Sequence, residues 1–180
     1  QSIIEHRSKM INWFLETFPL PDEYKERDNW NTRIVESHQF SPTDTDAGDI
    51  AKSNKPAELH IFESTIIVSS WQDVFIEFLR YIKENPEYNF DSILDNQQEI
   101  FKRENVILKW NSLKELIESN HDLTNRYKTF DGEYWDKAKG LSDDLLFIHI
   151  NISASTCMER IANVMEKLFL PDDSIQIKLK

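Results

Sequence analysis

The segment Leu145-Leu146-Phe147-Ile148-His149-Ile150-Asn151-Ile152, followed by Ser153-Ala154-Ser155-Thr156-Cys157 and closing on Ser174-Ile175-Gln176-Ile177-Lys178-Leu179-Lys180, decides the fold. Leu145, Phe147, His149 and Asn151 alternate with Leu146, Ile148, Ile150 and Ile152, which predicts a strand with one fully apolar face. The hydroxyls of Ser153 to Thr156 offer a helix cap. Cys157, Ile161, Val164, Met165 and Leu168 then recur at helical spacing, and Pro171 stops the helix. Ile175, Ile177 and Leu179 alternate with polar neighbours, as in a half-buried strand. A helix between two such strands cannot cover its own apolar stripe and must lie on a sheet.

Outward from this segment, Ser70-Trp71-Gln72-Asp73 is a capping box opening a helix over 71–84. Its inward residues are Val74, Phe75, Phe78, Leu79 and Ile82, and Asn85-Pro86 ends it. Strands are expected near 58–62 and 65–68 around a turn at Glu63-Ser64, and near 127–130 before the turn at Asp131-Gly132. Val106-Ile107-Leu108 resembles a strand, and Ser112 with Glu115 suggests a second capping box. The expected fold is α+β: a small antiparallel or mixed sheet covered on one face by two amphipathic helices, 71–84 and 155–169, with an N-terminal helical appendage. In that appendage, residues 1–21, Ile3, Met10, Ile11, Phe14, Leu15 and Phe18 form a face that ends at Pro19-Leu20-Pro21. Residues 22–56 read as a polar linker, with 41–56 its most loop-like part, and 57–180 as the α+β domain.

The 180 residues suit one domain plus an appendage, and eleven Phe with five Trp supply a core. No apolar run approaches the roughly 20 residues that span a bilayer, and no signal peptide is read at the N-terminus. The absent initiating Met is read as the mark of a longer parent chain. A single Cys excludes an internal disulfide and fits a reducing cytoplasm. The net charge of −11 opposes non-specific binding to phosphate backbones. Three Gly residues cannot build a Gly-rich phosphate cradle.

Catalytic patterns are tested and set aside. The five His stand at no ligand spacing, and one Cys cannot complete a zinc set. His60 and His149 are expected on solvent-facing or hydrogen-bonded strand positions. Asp44, Asp46 and Asp49 lack the regular ligand positions and the closing Glu of a calcium loop. Pro171-Asp172 with Gln176-Ile177-Lys178 imitates a restriction-nuclease metal site, but Gln replaces the carboxylate. No catalytic residue, metal or cofactor is therefore expected. Tyr127, Tyr134 and Trp135, with Lys137 and Lys139, remain as a candidate surface for stacking a base or contacting a partner, against the plainer role of anchoring a loop. Asn151 and Ser153, at the helix start, are a candidate anion contact against plain capping.

Ile4, Arg7, Trp13 and Phe18-Pro19-Leu20-Pro21 resemble the last helix of the HNH-nuclease domain in GmrSD-type restriction proteins, which join a ParB-like nucleotidase to an HNH nuclease. Val68-Ser69-Ser70-Trp71, Asn151-Ile152-Ser153-Ala154 and Leu170-Pro171-Asp172-Asp173-Ser174-Ile175-Gln176-Ile177 resemble a tail domain of the same type IV class. Phe147-Ile148-His149-Ile150 departs from it, since such tails usually carry a Tyr-containing strand there. The resemblance implies a cytoplasmic, non-catalytic C-terminal accessory module in phage defence, for partner binding, assembly or DNA sensing. Its implied partners are the upstream nuclease and nucleotidase modules of the same protein. Two further readings are a reader of modified DNA and a standalone metal-dependent nuclease.

Overall fold

A computed structural model describes residues 39–137 and 144–180. The helix expected over 1–21, residues 22–38 of the linker expected over 22–56, and Lys139 lie outside the described residues. The fold is α+β, and among the described residues all strand pairing is antiparallel.

The strands are β1 (Gln39–Phe40), β2 (Pro56–Ile61), β3 (Ser64–Ile67), β4 (Ile107–Lys109), β5 (Tyr127–Thr129), β6 (Leu146–His149) and β7 (Ile175–Leu179). They divide into two sheets, ordered β1-β7-β2-β3 and β4-β6-β5. The single sheet expected from the sequence is thereby corrected: β6 and β7 flank one helix but belong to different sheets. The reason lies in their patterns. In β7 polar residues alternate with Ile175 and Ile177, as suits a sheet covered on one face. In β6 both faces are apolar: Ile148 enters the main core, while Phe147 joins a second cluster with Leu113, Ile117 and Tyr127. A strand apolar on both sides needs cover on both sides, and β7 already has a strand partner on each edge, β1 and β2.

The helices are α1 (Ala47–Ser53), α2 (Trp71–Glu84), α3 (Phe90–Asp95), α4 (Gln97–Phe101), α5 (Trp110–Ser119) and α6 (Ala154–Lys167). As expected, Ser70 Oγ accepts from the Asp73 amide at the start of α2. The Asp73 carboxylate accepts from the Ser69 amide and hydroxyl at 3.1 and 2.7 Å. The inward faces of α2 and α6 share one core with Leu59, Ile61, Ile175 and Ile177. Helix α5 begins at Trp110 without a side-chain cap, so Ser112 is not the cap that the sequence suggests. Its start is set by tertiary contacts instead: the Trp110 amide donates to Leu145 O at 3.1 Å, and the indole stacks on Trp135.

The linker reading also needs correction over residues 39–56. The compact unit begins at Gln39. Strand β1 pairs with β7, and α1 packs against α6 through buried Ala47 and Ala51. A Cβ at Gly48 would lie 3.3 Å from Ser155 Cβ, so this helix pair meets at small residues. Small residues leave little hydrophobic signal, which is why the stretch reads as a polar loop. The Gln97 amide closes the free side of β4, accepting from the amides of Val106 and Ile107 and donating to Ile107 O.

Candidate functional site

The aromatic residues singled out in the sequence do not form one surface. Tyr127 is buried, donates its hydroxyl to Asn105 O at 2.8 Å and meets the His149 ring edge-on at 5.1 Å. Trp135 stacks on Trp110 at 5.3 Å, and Trp110 leans on Phe147. Tyr134 packs against the main core and receives the Lys128 ammonium over its ring at 4.7 Å. Lys137 is exposed. Tyr134 and Trp135 thus pack the 130–137 loop onto its own domain, and Tyr127 is a buried residue of β5. Ser153 caps α6, its Oγ accepting from the Thr156 amide, while Asn151 is exposed beside it.

Other groups with chemical potential are committed to structure. The Cys157 thiol is buried and donates to Trp71 O at 3.2 Å, and burial pushes its pKa far up, so the nucleophilic thiolate is suppressed. His60 lies on the outer face of the first sheet between Glu58, at 3.1 Å, and Thr65. The Lys178 ammonium, bonded to Glu58 at 2.7 Å, holds that carboxyl below its usual pKa. Among the described residues no three His, Cys, Asp or Glu side chains gather as a metal site would require.

The unexpected feature is a buried basic cluster. His149, expected to be solvent-facing or hydrogen-bonded, is 1% exposed, and neither ring nitrogen has a partner among the described residues. Burial, then the charges of Arg103, Arg160 and Arg126, lowers its pKa to about 4. Arg160, on α6, is 4% exposed, and its Nε and Nη1 lack hydrogen-bond partners. Its guanidinium lies over the rings of Phe75 and Phe101, at 5.6 and 5.8 Å. Two such contacts contribute about 1–4 kcal/mol together, against a burial cost of several kcal/mol for an unpaired ion. The charge is therefore incompletely compensated. Arg160 sits one turn after Cys157 on the apolar stripe, and an Arg there was the available sequence signal.

Backbone hydrogen bonds bring the arginine-bearing segments together. His149 N donates to Val106 O at 2.8 Å, and Ile150 N to Arg126 O at 2.9 Å. The exposed loop between α4 and β4 holds Lys102 and Asn105 at φ 51° and 62°, in the left-handed region. Elsewhere, Phe169 follows α6 at φ 54° and is 93% exposed, and Phe62 in the β2–β3 turn has φ 50° and is 44% exposed. Ile67 on the edge strand β3 is 78% exposed. An open groove of about 610 Å³ is lined by residues including Lys83, Tyr88, Phe90, Lys109 and Leu146, and by none of the described sequence-selected residues.

No family model, no curated protein and no solved structure matches the chain.

Proposed function

We propose that the chain is a non-catalytic accessory module of a type IV-like restriction protein, docking on the upstream nuclease and nucleotidase modules of that protein. The restriction context rests on the resemblance of Val68–Trp71, Asn151–Ala154 and Leu170–Ile177. The docking role rests on Phe169. A bulky residue in the left-handed region costs about 1–2 kcal/mol, and this one occupies the position after a helix where Gly is favoured. Leu170 N donates to Met165 O and Phe169 N to Glu166 O, so the turn is a well-formed helix stop that tolerates an unfavourable residue. The ring gains no burial in return, being 93% exposed. An aromatic held in solvent at a conformational cost suits a surface that is covered on assembly.

The segment beyond this turn also ties down Phe62 of the β2–β3 turn, which is 44% exposed and stacks on Tyr81 at 6.3 Å. Phe62 N donates to Ser174 O at 2.8 Å, and Ser41 Oγ donates to Asp172 O at 2.7 Å. The Leu170–Ile177 stretch that carries the resemblance thus supports both features.

Calorimetric titration of the chain into the upstream modules tests this reading. Phe169→Gly should leave the fold intact and weaken association about tenfold or more, within the range of an interface anchor. Undiminished association of that variant, or no association of the natural chain, would overturn docking through Phe169. One-site, micromolar binding of a divalent metal would count against a non-catalytic module, and a salt-sensitive gel shift with modified duplexes would favour the DNA reader.

A further inference from the structure

We propose that Arg160 and His149 form the floor of a binding site for a compact oxyanion, a carboxylate or a phosphate, with Arg103 and Arg126 at its mouth. Three observations meet there. Arg160 is 4% exposed with Nε and Nη1 unpartnered, and His149 is 1% exposed with both ring nitrogens unpartnered. The segments carrying Arg103 and Arg126 are tied to the end of β6 through Val106 O and Arg126 O. The charges of Arg103, Arg126 and Arg160 all act on His149, in a chain whose net charge is −11.

A buried water could satisfy the imidazole, but it leaves the guanidinium charge uncompensated. Only an anion answers both needs, through charge-assisted hydrogen bonds from Arg160 and one from the neutral His149. No ion pair forms at Arg160 among the described residues, and Glu159, whose charge it feels, is an exposed sequence neighbour. The Lys102–Asn105 loop, exposed and twice left-handed, adjoins the site through Asn105 O, which accepts from Tyr127. Strained loops of this kind recur at ligand sites. Tyr127 forms a wall, with its hydroxyl already engaged. Arg160 would bind its anion whether or not Phe169 docks a partner.

Thermal melts of the full chain in inorganic phosphate, sodium acetate and sodium chloride, at matched ionic strength, test the site. A saturable rise in Tm with phosphate or acetate, absent with chloride, is expected from preferential binding to the folded state. The stronger of the two anions identifies the ligand chemistry. Arg160→Met should abolish the response. Arg103→Gln lies in an exposed loop, should keep the fold, and should weaken anion binding at least fivefold. The His149 ring resonances should shift along the same saturation curve. A Tm indifferent to both anions, or an equal response in the Arg103→Gln chain, would overturn the proposal.

Discussion

At the level of single residues, burial decides what each ionisable group can do. The His149 imidazole is neutral in the folded chain because the interior and three arginines disfavour a second proton. Its folded pKa of about 4 lies below the ordinary 6.5, so between these values the unfolded chain takes up a proton that the folded chain refuses. Stability present above pH 6.5 is thus lost as the pH falls towards 4, by at most about 3 kcal/mol and less where solvent screens the exposed Arg103. Unfolding free energies from urea titrations should be lower at pH 4.5 than at pH 7 by up to that amount. Replacing His149 with Gln should shrink the difference, and an unchanged gap would assign the acid sensitivity to other groups.

At the level of elements, helix ends and helix contacts carry stability in measurable pieces. The Ser70 hydroxyl is the N-cap of α2, and Ser70→Ala should cost about 1 kcal/mol, read from chemical unfolding. Phe169→Gly acts in the opposite direction. Relieving a left-handed bulky residue that buries nothing should raise the stability of the isolated chain by about 1 kcal/mol. A loss of stability instead would mean that the ring packs on the domain. At Gly48 the approach to Ser155 leaves no room for a large side chain. Gly48→Leu should separate α1 from α6 and cost about 1–3 kcal/mol, as overpacking does elsewhere.

At the level of the whole molecule, the boundary of the folding unit is the testable matter. Gln39–Phe40 adds an edge strand to β7, and α1 covers part of α6. Trp71 links these additions to α2: its Nε1 donates to Asn54 O, and its ring meets Phe40 edge-on at 6.3 Å. A chain starting at Ala57, the boundary drawn from sequence, should expose α6 and the edge of β7. It should melt well below one starting at Gln39; equal melting temperatures would restore the linker reading of 39–56.

Local pattern alone determined the α+β class, the helix at 71–84 with its Ser70 cap, the β2–β3 hairpin, and the strand–helix–strand order of the C-terminal third. Each depends on interactions within a few residues: the 3.6 and 2.0 periodicities, a hydroxyl before a helix, a proline after it. Periodicity cannot state which strand lies beside which, so the division into two sheets was legible only through the doubly apolar pattern of β6, read here at first as a single buried face. Helix α1 escaped because its packing uses Ala and Gly, whose close approach to α6 has no hydrophobic signature. Of the candidate site residues, Ser153 was readable as a cap, whereas the sequence could not show that Tyr127 and Trp135 pack in the second cluster and Tyr134 against the main core. The Arg160–His149 cluster showed in the sequence only as an Arg on the apolar stripe of α6: its groups lie on α6, β6 and two loops far apart in the chain, and only the tertiary structure buries Arg160 and His149 without a counter-charge.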